Sequence, residues 1–160
     1  MAAVDYFLKI DGITGESLDA KHTGELELEG FTWGETQQGV PVASGAGAGK
    51  VQFHAFHFAM RTSKASPQLL LACASGQHLK SAILTARKAG KTPQEFLVLT
   101  LTNVLVASYE TGATPVQPYP TDQVSLSFGQ IQVEYRAQKP NGTLEAPIQV
   151  GWNVAANRKV

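Results

Sequence analysis

The sequence predicts a mainly β protein, a barrel or sandwich of antiparallel strands with a single α-helix against its side. Through most of the chain, apolar residues recur at every second position, which is the period of a strand with one buried face. One segment instead reads as a helix, at about residues 67–75. Ser66 suits the N-cap, Pro67 suits the first helical position, and Gly76 suits the left-handed residue that ends a helix.

The predicted helix has an apolar face that is wide for its length. Leu69, Ala72 and Cys73 share one stripe, and Leu70 and Ala74 lie beside it. Burial of the three leucines of this segment would contribute about 5–9 kcal/mol, at about 1.5–3 kcal/mol each. We therefore expect all three to be buried where the helix docks on the strands.

Strand signals occupy most of the remaining chain and predict seven or eight strands. The segments are residues 5–11, 25–33, 50–61, 79–88, 95–109, 123–138 and 144–154. Residues 37–50 form a loop rich in glycine, alanine and serine, and residues 110–121 form a second loop with three prolines and a glycine. Pro140, Asn141 and Gly142 predict a hairpin turn, because Asn-Gly tolerates positive φ at both central positions.

The alternation changes parity within three of these segments. The positions are Gly30, residues 54–55 and Gly129. A parity change at a glycine is what a β-bulge produces. At Gly30 a bulge would keep Phe31 and Trp33 in the core and leave Thr32 on the face of the preceding glutamates.

Those glutamates, Glu25, Glu27 and Glu29, form a polar strand face. A solvated face is the simpler interpretation. With Thr32 added, the alternative is a polar wall that several subunits share.

Length and charge exclude some classes of function. At 160 residues the chain is expected to form one domain, residues 1–160. It carries 13 basic and 13 acidic residues, and its charged fraction of 16% is below the usual value of about 25%. The absence of a basic excess argues against a general nucleic-acid binder.

The cysteine content and the apolar runs indicate the compartment. Cys73 is the only cysteine, so no intrachain disulfide can form, which fits folding in a reducing compartment. The amino terminus shows no basic stretch followed by an apolar run, so no Sec-type signal peptide is expected. No apolar stretch reaches 18 residues, so no membrane insertion is expected.

Motifs that suggest chemistry do not meet the requirements of a site. Residues 45–50 lack the glycine spacing and the Ser/Thr of a phosphate loop, and they lead into a strand. His54 and His57 point to opposite faces of a strand, with no cysteine or carboxylate at ligand spacing. We expect no metal, no cofactor and no catalytic residue. A triad of distant residues leaves no local motif, so a hydrolase using Cys73 or Ser44 stays open as an alternative.

The segments taken together resemble the haemolysin-coregulated protein (Hcp) family, the tube protein of bacterial type VI secretion. The matching stretches are residues 5–10 with 15–17, 32–34, the glycine-rich loop into 50–51, 66–78, 82–85 with 87–90, 130–135 and 151–153. They span nearly the whole chain in the right order, and this ordered set carries the resemblance rather than any single motif.

The resemblance implies a compact β-barrel of two antiparallel sheets with one flanking α-helix. It implies that six copies form a ring with an open centre and that rings stack into a tube. It implies as partners a VgrG-type spike protein, a contractile sheath and secreted effectors that ride in the lumen. The protein would be made in the bacterial cytoplasm and then be secreted to the exterior or a target cell without a signal peptide.

The expected contact residues lie in two places. Thr32 matches a small hydroxyl position that faces the lumen in the family. The loop 37–49 is our candidate for the contact between stacked rings, because small residues permit close backbone approach. Its candidate residues are Gln38, Val40, Ser44 and Gly47. The alternative is a monomeric β-barrel that binds a small ligand in a cavity lined by Trp33, Phe53, Phe56 and Phe58.

Overall fold

A computed structural model describes residues 3–39 and 50–160. These ranges form one helix and eleven strands, in two sheets, which confirms the mainly β class with one flanking helix. The elements are β1 (Val4–Ile10), β2 (Leu26–Leu28), β3 (Gly30–Thr32), β4 (Glu35–Gln37), β5 (Val51–Phe53), β6 (Phe56–Arg61), α1 (Ala65–Ser75), β7 (His78–Lys88), β8 (Gln94–Gly112), β9 (Thr121–Tyr135), β10 (Ile148–Asn153) and β11 (Arg158–Lys159).

Strand β9 organises the larger sheet, because its two halves have different partners. One edge of β9 pairs with β8 along its length. On the other edge the first half pairs with β6, from Thr121 to Leu126, and the second half pairs with β10, from Gln130 to Tyr135. The sheet order is β11-β10-β9-β8-β7-β1-β2, with β6 joining β9 to β3.

The strands β9, β8, β7, β1, β2, β3 and β6 wrap around one core. Between β2 and β3, the Glu29 amide donates to the Ala59 carbonyl of β6 at 2.8 Å, which joins the two ends of this circuit. Strands β10 and β11 lie outside the circuit, on the second half of β9. We call β10, β11 and residues 130–135 of β9 the wing.

The parity changes mark places where the chain changes its pairing partner. At Gly30 the chain leaves β2, which pairs with β1, and enters β3, which pairs with β6. Thr32 is exposed while Phe31 and Trp33 pack against the core, so the predicted faces are right. The predicted bulge within one strand is wrong, because two short strands replace it.

The predicted strand 50–61 divides for the same reason. Residues 51–53 form β5, which pairs with β4 in a separate two-stranded sheet, and residues 56–61 form β6 in the larger sheet. At the break between them, the His54 amide donates to the Gly34 carbonyl at 2.8 Å. The parity change at 54–55 therefore marks the crossing from one sheet to the other.

The start of the helix differs from the prediction, and its end agrees. Helix α1 begins at Ala65 after an N-cap at Lys64, so Ser66 lies inside the first turn and is not the cap. The Ala65 amide donates to the Ser63 hydroxyl instead, at 3.2 Å. Gly76 ends the helix with φ 64°, as predicted. Ser66 is displaced from the cap because its hydroxyl donates to the buried carboxylate of Asp122.

The helix buries a narrower face than its apolar residues predict. Leu69 and Ala72 are buried, whereas Leu70 and Leu71 are 54% and 63% exposed. The expected burial of three leucines is therefore wrong for this chain taken alone. Only the stripe that meets the sheet is covered, so one leucine contributes about 1.5–3 kcal/mol through burial.

The hairpin turn at residues 139–142 lies one residue earlier than its motif predicts. The Gly142 amide donates to the Lys139 carbonyl at 2.9 Å, which places Pro140 and Asn141 at the two central positions. Gly142 follows them with φ 88°. A turn at this place is confirmed, but the assignment of Asn141 and Gly142 as its central pair is wrong.

Candidate functional site

The wing leaves an apolar face uncovered. A groove of about 750 Å³ lies between the wing and the β4–β5 hairpin. Trp33, Val51 and Phe53 line one wall, and Val133, Val150 and Trp152 line the other. We call this feature the wing groove.

The register of the strands explains why the groove is apolar. Residues paired across antiparallel strands share a face, and on β9 and β10 these pairs include Ile131 with Trp152 and Val133 with Val150. The same register places Ile131 opposite Leu101 of the core. The core side of the sheet therefore continues outward onto the wing.

Along the wing this face passes from the core to the solvent. Ile131 is buried, whereas Val150 and Ile148 are 56% and 70% exposed. Tyr135, which pairs with Ile148, is exposed as well. Within residues 3–39 and 50–160, no segment covers this apolar strand face at Tyr135, Ile148 and Val150.

A donor near the groove has no partner within the described chain. The indole Nε1 of Trp152 is buried and finds no acceptor in the described ranges. The chain after Trp152 turns back, and the Val160 amide donates to the Gly151 carbonyl at 3.2 Å. This return brings the Val160 side chain against the Cα atom of Gly151.

Replacing Gly151 by alanine is expected to dislodge the last residues and leave the core intact. A Cβ atom at this position would lie 2.8 Å from Cγ2 of Val160 and 3.2 Å from the carbonyl of Ile131. Val160 can move, so we expect a Tm lower by about 2–4 °C and faster hydrogen exchange in residues 154–160. Gly112→Ala is the matched control, because a Cβ atom there meets nothing within 4 Å. Unchanged exchange in Gly151→Ala would contradict the prediction.

The predicted contact residues do not meet in one site. Thr32 is exposed on β3, paired with His57 of β6. His57 in turn pairs with Ser125, and the Ser125 hydroxyl lies 2.7 Å from His57 Nδ1. Thr32 and His57 thus form an exposed polar patch on the barrel wall, and Ser125 lies buried beside it.

Gln38 lies elsewhere, after β4. It is exposed, and its Nε2 donates to Oε1 of Gln52 at 3.1 Å. The other predicted loop contacts, Val40, Ser44 and Gly47, lie outside the residues that the structure describes.

The glutamate face is only partly solvated. Glu27 and Glu29 are exposed, as the simpler interpretation expects. Glu25 differs, because its carboxylate lies 2.9 Å from Nδ1 of the buried His22. The alternation of the three glutamates predicts one shared face but does not reveal this partner.

The aromatic residues of the small-ligand alternative separate into two places. Phe56 and Phe58 are buried in the core, with ring centroids 6.2 Å apart. Trp33 and Phe53 line the wing groove. The four therefore do not line one interior cavity.

No group of three or more His, Cys, Asp or Glu residues within ranges 3–39 and 50–160 is arranged to hold a metal ion. Within the described ranges, no helix is both long and apolar enough to cross a membrane.

The wing groove is a candidate functional surface that the sequence did not predict. The alternation of Ile148, Val150 and Trp152 does identify an apolar strand face. It carries no signal that this face extends beyond the closed circuit of strands, because periodicity reports only which residues share a side.

Residues 7–135 match a protein-family model described as "Type VI secretion system effector, Hcp". The chain belongs to the Hcp family. Its resemblance to that family, carried in sequence by an ordered set of short segments, is therefore confirmed. This Hcp chain is 41% identical over 158 residues to "Protein hcp1" of Pseudomonas aeruginosa, which covers 97% of this chain and 98% of that protein.

Solved structures agree with the family match. Hcp1 from Salmonella typhimurium superposes with a TM-score of 0.82 at 36% identity, over 100% of both chains. A structure described as a type six secretion system protein superposes with a TM-score of 0.91 at 28% identity, over 99% of this chain and 100% of that one. The chain is thus an Hcp-family protein of type VI secretion.

Proposed function

We propose that this Hcp chain is the structural subunit of a type VI secretion tube. Six copies form a ring with an open centre, and rings stack into an inner tube that carries effectors in its lumen. The tube works with a VgrG-type spike protein and a contractile sheath. The chain is made in the bacterial cytoplasm and is exported without a signal peptide.

The observation that supports self-assembly most is the wing groove. Covering Ile148 and Val150 would contribute about 1.5–3 kcal/mol for each side chain that becomes fully buried.

A closed ring needs two different surfaces on each copy. Ring contacts are heterologous, so the patch on one flank meets a different patch on the next copy. The wing groove is concave and mainly apolar, although Glu35, Gln37, Asn157 and Lys159 also line it. Helix α1 exposes Leu70 and Leu71 on a different flank. We assign the groove and this helix flank to the two sides of the ring contact.

The polar surfaces are assigned to the lumen and to ring stacking. Thr32 faces the lumen together with His57, because a polar wall does not retain cargo by apolar adhesion. Gln38 begins the stacking contact, which continues through Val40, Ser44 and Gly47. Ring-to-ring contacts must be weaker than contacts within a ring, so that rings stay soluble until stacking is initiated.

Size-exclusion chromatography with light scattering tests the proposal directly. At micromolar concentration the particle is expected to have about six times the chain mass of 17.1 kDa. Negative-stain microscopy of the same fraction is expected to show annular particles. A clean monomer in both measurements would overturn the proposal and favour the small-ligand alternative.

A further inference from the structure

Residues 12–25 cover the outward face of the sheet. Phe7, Thr85 and Arg87 alternate with core residues along β1 and β7, so they point away from the core, yet all three are buried. The loop is tied to α1 as well, because the Thr14 amide donates to Oε1 of Gln68 at 3.1 Å. We call residues 12–25 the covering loop.

His22 is the buried centre of the covering loop. It is 6% exposed, and its imidazole stacks on Phe7 with centroids 4.3 Å apart. Nδ1 lies 2.9 Å from Oε2 of Glu25, and Nε2 lies 2.8 Å from Oε1 of Glu95 on β8. The bond to Glu95 joins the loop to the sheet.

Both bonds can form together in one protonation state only. An ionised carboxylate accepts hydrogen bonds but has none to donate. A neutral imidazole has one N–H, whereas a protonated imidazole donates from both nitrogens. With both carboxylates ionised, the observed geometry therefore requires the protonated ring.

The surrounding charges favour the same state. The groups that face this cluster are Asp5 on β1, Asp19 and Glu25 in the covering loop, Arg87 on β7 and Glu95 on β8. Arg87 binds both carboxylate oxygens of Asp19, at 3.0 and 2.6 Å, and lies 3.7 Å from Asp5. The cluster thus contains four carboxylates and one guanidinium, and a protonated His22 supplies a second cation.

We propose that His22 is a proton-operated latch that holds the covering loop on β8 when protonated and loosens it when deprotonated. Deprotonation removes one of the two donors and one positive charge. The stabilisation is therefore present at acidic pH, where the ring is protonated, and is lost at higher pH, where it is not. The latch acts within one chain and does not depend on the oligomeric state.

The protonation of Asp19 does not contribute to this pH dependence. Hydrogen bonds from Arg87 hold the pKa of Asp19 well below its usual range. A carboxylate with a lowered pKa contributes stability that is fully present above its unfolded value of about 3.9. The Asp19 contribution is thus constant over the range in which the latch changes.

Thermal unfolding of the full chain at about pH 5.5 and about pH 8 tests the latch. At equal protein concentration, His22→Gln is expected to lower Tm by roughly 2–4 °C more at the acidic pH. His78→Gln is the matched control, since His78 is exposed at the start of β7. Its effect is expected to be the same at both pH values. An equal Tm loss for His22→Gln at both would overturn the proposal.

Two further measurements keep the test decisive if His22→Gln does not fold. Glu95 is partly exposed at 39%, so Glu95→Gln is a milder change that removes the charged partner of Nε2. Its Tm loss is also expected to be larger at about pH 5.5 than at about pH 8. In the unmodified chain, nitrogen NMR shifts of the His22 ring are expected to show two protonated nitrogens at about pH 5.5. A neutral ring there would rule out the latch.

Discussion

Replacing Asp122 by alanine is expected to lower the free energy of unfolding by about 3–4 kcal/mol. The carboxylate of Asp122 is fully buried on β9. It accepts hydrogen bonds from the hydroxyls of Thr62 at 2.8 Å, Tyr109 at 3.2 Å and Ser66. One carboxylate thus joins β9 to β8, to the first turn of α1 and to the residue after β6.

The expected loss is large because the three hydroxyls would lose their shared acceptor. A buried donor without a partner costs about 1–3 kcal/mol, which applies most fully to Ser66. Tyr109 is partly buried, and Thr62 is exposed and can bond to water, so these two add less. Burial raises the pKa of Tyr109, so its phenol stays protonated and remains a donor at neutral pH. Asp122→Asn is expected to cost less, since one amide oxygen still accepts.

Chemical denaturation followed by circular dichroism measures this loss. All variants must be compared at one protein concentration, because assembly contributes to apparent stability. Asp11→Ala is the matched control, since Asp11 is exposed just after β1. It is expected to change stability by less than about 0.5 kcal/mol. A loss in Asp122→Ala as small as in this control would refute the structural role of the cluster.

Replacing Val150 by glutamate is expected to abolish assembly while the subunit still folds. Val150 is exposed in the single chain, so a carboxylate there remains solvated. In an assembled particle the same carboxylate would be buried on an apolar wall, at a cost of several kcal/mol. Light scattering is expected to give the mass of one chain, with a circular dichroism melt close to that of the parent protein.

Gln149→Glu is the control for this variant, because it adds the same charge one residue away. Adjacent strand residues point to opposite faces, so Gln149 is directed away from the wing groove. This variant is expected to keep the assembled mass. If Val150→Glu assembled as well as Gln149→Glu does, the groove would not be the ring contact, although another surface could still form the ring.

Local sequence patterns predict the secondary structure well where a single periodicity or a single residue type determines it. Strand β1 and strand β7 follow the alternation of their residues, and Gly76 ends the helix at the place its chemistry requires. The family can also be recognised from the order of short sequence segments, because this order does not depend on tertiary contacts. Thr32 is exposed on its strand because its neighbours Phe31 and Trp33 turn to the core.

Local patterns fail where a residue's neighbour comes from a distant part of the chain. Ser66 is a residue type that favours the N-cap position, but its hydroxyl donates a hydrogen bond to Asp122 of β9. Glu25 alternates with other glutamates, but the stacking of His22 on Phe7 brings an imidazole to it. Asp122 lies 56 residues from Ser66. His22 is close to Glu25 in sequence, but the Phe7 ring that orients it lies on β1.

The sequence by itself determined the β class, the single helix of the described chain and membership of the Hcp family. Tertiary structure decided which apolar faces are covered. A polar loop buries Phe7, whereas Leu70 and Leu71 of the helix remain exposed. The core-facing side of the sheet extends beyond the core, so Ile148 and Val150 on that side are exposed as well. The physical reason is that periodicity fixes which side chains share a face, whereas only packing between distant segments determines what lies against that face.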